Sequence, residues 1–130
     1  LGNSWSIFNV KIEIMSMDDK RIYKHHPEDG VNLLKNRPYV NDKILELILT
    51  HEEKNSGEGY PRGIPKLEIP QQVLSLCNLF DKQVTVFGAE HIDAMKYVKD
   101  TQIGNYDLDI IKKLKSFLEE NVSSSNLPIV

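Results

Sequence analysis

Hydrophobic positions fall first with a period of two and then, for the rest of the chain, with the period of a helix. Phe8, Val10, Ile12 and Ile14 alternate with Asn9, Lys11 and Glu13, the pattern of a half-buried strand. No later segment alternates as clearly. The strand's partner is therefore a weakly signalled segment, a second copy of the chain in a homodimer, or residues outside this sequence.

Everything after that reads as helix. Ser16, with Asp19 three residues on, predicts a capped helix that ends before Pro27, whose ring holds His26 extended. Pro27 suits the first turn of a second short helix through Leu34. Asn41 predicts the N-cap of a third, in which Ile44, Leu47, Ile48 and His51 share one apolar face. From Asn55 to Ile69 the glycines and prolines come too densely for helix or central strand, so the segment is a loop. Pro70 reopens a helix with Val73, Leu76, Cys77 and Phe80 as its core stripe, and with Leu74, Asn78 and Asp81 on a neighbouring face. Ile92, Met95 and Val98 predict another helix after the turn at Gly88. Asp107 caps a last one, buried through Ile110, Ile111, Leu114, Phe117 and Leu118. The expectation is one all-α domain over residues 1–122, a bundle of five to seven helices with a single strand-like segment, and a frayed tail over 123–130.

Composition narrows the function classes. With 130 residues, 40% of them hydrophobic, the chain suits one modest core. A net charge of −3 without a basic stripe argues against a nucleic-acid polymer or an anionic membrane as partner. No segment is long and apolar enough to span a bilayer. Cys77 is the single cysteine, which fits a cytoplasmic setting, and a start at Leu1 reads as a piece of a longer protein.

Candidate chemistry centres on His26, at a helix break, and His51, at the end of an apolar face. Centres that hold two or three metal ions need imidazoles and carboxylates from several helices, but spacing alone is a weak signal, and an apolar-face histidine is more often structural. His25 and His91, beside charged residues, are expected in solvent, as are Glu53 and Lys54 at a helix end. Cys77, on the core stripe, is expected to pack rather than react.

Longer motifs carry a resemblance. His26-Pro27-Glu28-Asp29-Gly30, His51-Glu52-Glu53, Gly57-Glu58-Gly59-Tyr60-Pro61-Arg62-Gly63-Ile64, Val73 through Asp81, and Asn105-Tyr106-Asp107 follow one another as in the HD-GYP domain, which they resemble in order and spacing. That bacterial family belongs to the HD metal-dependent phosphohydrolases and includes cyclic di-GMP phosphodiesterases. The resemblance implies an HD-like helical bundle, a divalent metal (iron or manganese), cyclic di-GMP as ligand and protein partners in bacterial signalling. It makes His26 and His51 metal ligands, with Glu52 and Asn78 at two further ligand positions. Gly57, Gly59, Tyr60 and Pro61 form the naming loop, and Asp81 is a helix hydrogen-bonding residue.

Departures from the family pattern matter as much. Glu52 stands where the family has a second adjacent histidine, Asn78 where it has a metal-binding aspartate, and Ser56 where the loop has an aspartate. An amide binds a divalent ion more weakly than a carboxylate. The family's Arg-Pro-Tyr-Arg phosphate clamp is missing after Asp81; Lys82 to Gly88 offers one lysine and no arginine. Its His-Asp pair is absent too, since Leu1-Gly2-Asn3 resembles the stretch just downstream of that pair. Three readings follow: a degenerate domain acting as a signalling or interaction module with the metal lost, an active phosphodiesterase whose His-Asp pair lies upstream, and a module that binds the nucleotide without turnover.

Overall fold

The computed structural model describes residues 11–125, and within them six α-helices follow one another with no named strand. Helix α1 (Met17–Lys24) starts where Ser16 Oγ accepts the Asp19 N–H at 3.1 Å. Helix α2 (His26–Leu34) follows after one residue, with Pro27 in its first turn. His26 is thus already helical and the break falls at His25, because a proline in the first turn costs no intrahelical hydrogen bond. Asn41 Oδ1 accepts the Ile44 N–H at 2.9 Å and opens α3 (Asp42–Thr50). A reciprocal capping box between Glu68 and Gln71 opens α4 (Ile69–Asp81), which runs into a five-residue π-helical turn, Lys82–Val86. The last two helices are α5 (His91–Thr101) and α6 (Leu108–Ser125).

The strand expected at the start is not formed where the structure describes it. Ile12–Ile14 make a 3₁₀ turn, while Phe8 and Val10 lie outside the described residues. Ile12 packs on Met15 and Tyr23, but Ile14 is 75% exposed, so the alternation does not mark a buried sheet face here. The homodimer expectation that rested on that strand loses its support over these residues.

Helix α4 is the centre of the packing, touching α3, α5 and α6, while α2 lies along α3. Leu76 and Phe80 of α4, Ala94, Met95 and Val98 of α5, and Tyr106 and Ile111 at α6 form the main core. Burying a side chain such as Leu76 completely stabilises by roughly 1.5–3 kcal/mol. The buried face of α4 is turned from the predicted stripe: Gln72, Ser75, Leu76 and Phe80 are inside, whereas Val73 and Cys77 are exposed. The cause is a polar seam. Gln72 Nε2 donates to Leu67 O and Asp107 Oδ2, its Oε1 accepts the Asp107 N–H, and Ser75 Oγ meets Glu53 O and Tyr106 Oη. Those bonds draw the polar side of the helix inward and push Cys77 out. Ile92 and Phe117, expected in the core, are likewise exposed.

Candidate functional site

His26 and His51 come together as their helices dictate. His26 is the first residue of α2 and His51 the cap of α3, and these two helices pack side by side. Each imidazole has its Nδ1 against a carbonyl of the preceding turn, His26 on Tyr23 O and His51 on Ile48 O, both at 2.5 Å. A carbonyl can only accept, so each Nδ1 carries a proton and each Nε2 is left to take a further proton or a cation. The two Nε2 atoms face one another at 2.9 Å. Two lone pairs at that separation repel unless a proton or a cation lies between them.

Glu52 closes the group. Its Oε1 lies 3.4 Å from His26 Nε2 and 3.8 Å from His51 Nε2, and one ligand atom from each of the three residues falls within 4.8 Å of the others. Two imidazoles with a fixed tautomer and one carboxylate are ligands suited to iron, manganese or zinc, and the carbonyls behind the rings are the usual outer support of metal-bound histidines. His26, His51 and Glu52 could therefore hold a metal ion. The fit is incomplete, because the same Oε1 accepts from Lys82 Nζ at 2.5 Å and from Asn78 Nδ2 at 3.0 Å. Asn78 presents a donor where a ligand would present a lone pair, and Lys82 sets an ammonium against the oxygen that an ion would use.

Charge in the site follows from burial and pairing. Burial favours the neutral acid at Glu52, but hydrogen bonding to His26 and the charge and hydrogen bond of Lys82 outweigh it, holding the carboxyl at about 2. For Lys82 burial opposes the charge, yet Glu52 and the Tyr23 hydroxyl, 2.5 Å from Nζ, raise its pKa above the ordinary lysine value. Burial lowers His51 below the usual imidazole range despite the Ile48 carbonyl and Glu52. Tyr60 beside them is raised by burial and by Glu52 and Tyr23, and so stays a neutral phenol. A cavity of about 570 Å³ opens over this centre, with Tyr23, Lys24, Lys54, Tyr60 and Lys82 in its wall.

The naming loop holds the site from behind. Glu53, expected in solvent, is fully buried; its Oε2 accepts the Arg62 N–H at 2.7 Å and its Oε1 the Ile64 N–H at 3.3 Å. A loop with few ladder bonds needs such an acceptor for its inward N–H groups, which is why the carboxylate is inside. Lys54 is half-buried in the cavity wall, not at a solvated helix end, and burial lowers its pKa. Gly57 and Gly63 have positive φ (86° and 60°), whereas Gly59 is required by close approach: a Cβ there would lie 2.4 Å from Glu52 O and Glu53 Cα. Tyr60 packs against Tyr23 and His26, and the Tyr60–Pro61 peptide is cis. Ser56 Oγ donates to Asn105 Oδ1 at 2.7 Å, so it ties the loop to the start of α6. Asp81 is exposed and accepts from Thr85 Oγ1 at 3.2 Å, apart from the centre.

His25 stands at the surface, paired with Asp29 at 2.9 Å; His91 is half-buried and meets the Phe80 ring. Lys82 and Tyr23 are the site residues that sequence reasoning missed. A signal existed for Lys82: it lies four residues after Asn78, on the same helical face.

The family model described as "HD domain" matches residues 6–110. A cyclic di-GMP phosphodiesterase of Thermotoga maritima is 33% identical over 82 residues, which is 58% of this chain and 22% of that protein. The solved structure of an HDG"Y"P protein from Bdellovibrio bacteriovorus superposes with a TM-score of 0.73 at 26% identity, over 86% of this chain and 37% of that one. The chain thus spans well under half the length of either relative.

Proposed function

The chain belongs to the HD domain family, as an HD-GYP-type domain, and from that premise we propose that it is a degenerate member serving as a signalling or interaction module in a cyclic di-GMP system. In this reading hydrolysis is impaired and the domain works through the ligand or protein partners it engages in the cytoplasm. The observation that carries it is the donor set. Among the described residues one group of three ligand-type side chains, His26, His51 and Glu52, could hold an ion, and at the fourth position Asn78 donates an N–H to Glu52 rather than offering an oxygen. Three donors suit one ion, iron or manganese by kinship. In-line attack on a phosphodiester calls for an ion on the attacking water and another on the leaving oxygen.

A second reading is favoured by the two Nε2 atoms that face each other with their supporting carbonyls in place. It makes the domain the latter part of an active cyclic di-GMP phosphodiesterase, completed by a His-Asp pair supplied from upstream. One experiment separates the two: metal analysis of the purified longer protein alongside a cyclic di-GMP turnover assay. The degenerate reading expects fewer than two tightly held ions per chain and no linear dinucleotide. Two or more ions together with linear product would overturn it in favour of the second.

A further inference from the structure

Lys82 places its ammonium against Glu52 in the centre, with Tyr23 beside it. Nζ lies 2.5 Å from Glu52 Oε1 and 2.5 Å from the Tyr23 hydroxyl, and 5.2 Å from the Tyr23 ring centroid. Tyr23 is buried and the Glu52 side chain is 11% exposed, so the pair is screened from solvent on most sides. Asn78, one turn earlier on α4, donates to the same Oε1. The Glu52 carboxylate, the Tyr23 hydroxyl and the face of the Tyr23 ring each suit a cation at the position of the lysine nitrogen, and the Glu52 Oε1 that accepts from it is also the oxygen that stands near the two imidazole Nε2 atoms.

We propose that Lys82 is a tethered cation that competes with a metal ion for Glu52, so that the centre is held together by the lysine and binds a divalent ion only weakly. Two positive charges brought against one carboxylate oxygen in a poorly solvated site repel each other strongly. An arriving ion must therefore displace the ammonium from Glu52 and Tyr23, and the free energy of that displacement is subtracted from its binding. The positioning follows from the helix: residues 78 and 82 sit on one face, and the π-helical turn continues from α4 at Lys82, whose ammonium meets Glu52. The inference rests on the reading of the site as a degenerate metal centre, but it concerns affinity rather than turnover.

Titration of the intact chain with Co(II) tests it, read by calorimetry and by the visible absorption that imidazole-bound Co(II) gives. Lys82→Met should tighten Co(II) binding by roughly 10- to 100-fold, the span typical for a change beside a metal ligand. Lys82→Arg, which keeps the charge, should stay as weak as the natural protein, and Glu52→Gln/Lys82→Met should lose the gain. Lys82→Gln replaces Lys82→Met if circular dichroism shows the latter unfolded. Equal affinity in the natural protein and the uncharged variant overturns the proposal, as does equal tightening by Lys82→Arg. So does a natural protein that retains one Co(II) per chain through dialysis. Cyclic di-GMP hydrolysis by the natural protein would overturn the functional reading while leaving this competition standing; unchanged Co(II) affinity would do the reverse.

Discussion

At the scale of single residues, the loop that names the family is held by a carboxylate rather than by its glycines alone. Glu53 is fully buried and takes the Arg62 and Ile64 N–H groups, while its own carbonyl accepts from Ser75 Oγ at 2.6 Å. Removing the carboxylate strands two inward-facing donors, each worth roughly 1–3 kcal/mol when left without a partner. Glu53→Ala should therefore lower stability by about 3 kcal/mol in urea denaturation, and Glu53→Gln, which keeps an acceptor oxygen, by distinctly less. Equal losses from both would mean that the volume of the side chain matters rather than its acceptors. The adjacent carboxylate, Glu52, serves the centre instead, so neighbouring glutamates of one short turn have separate tasks.

At the scale of elements, α4 shows what a sequence pattern can and cannot say. Helix starts were legible, because Ser16 and Asn41 are caps whose chemistry is local and the loop glycines and prolines exclude helix. The helical orientation was not. Periodicity counts apolar residues, and it chose Val73 and Cys77; the structure buries Gln72 and Ser75, whose partners lie 35 and 31 residues away at Asp107 and Tyr106. Such long-range pairs leave no trace in local spacing. The same limit hid the burial of Glu53, while Lys82 was within reach of its spacing from Asn78, and His26, His51 and Glu52 were named through kinship rather than through any spacing rule. The rotation has a direct check. Leu76→Ala should cost about 2–5 kcal/mol, as for a filled core site, whereas Cys77→Ala should stay within about 0.5 kcal/mol. A large loss at Cys77 would restore the periodic stripe and undo the observed orientation.

At the scale of the whole molecule, the centre joins four elements: Tyr23 from α1, His26 from α2, His51 and Glu52 from the end of α3, and Asn78 with Lys82 from α4 and its π-helical turn. Its titration should therefore govern global stability. The Glu52 carboxyl, held at about 2 against an ordinary 4.5, favours folding fully above pH 4.5 and loses that contribution as pH falls toward 2. That displacement corresponds to on the order of 3 kcal/mol. His51 is lowered, mainly by burial, so the unfolded chain takes up a proton near pH 6.5 that the folded centre resists; its contribution is complete above 6.5 and declines below it. Lys82 is raised, so its contribution is present up to pH 10.5 and fades only above that. The three directions together predict an acid decline in two stages and a loss above about pH 10.5. Urea midpoints measured from pH 8 to pH 3 with chelator present should drop first below 6.5, then again below 4.5. His51→Asn should abolish the first decline and keep the second. A natural protein that gains stability as the pH falls below 6.5 would mean that the folded centre welcomes a proton at His51 rather than resisting it through burial.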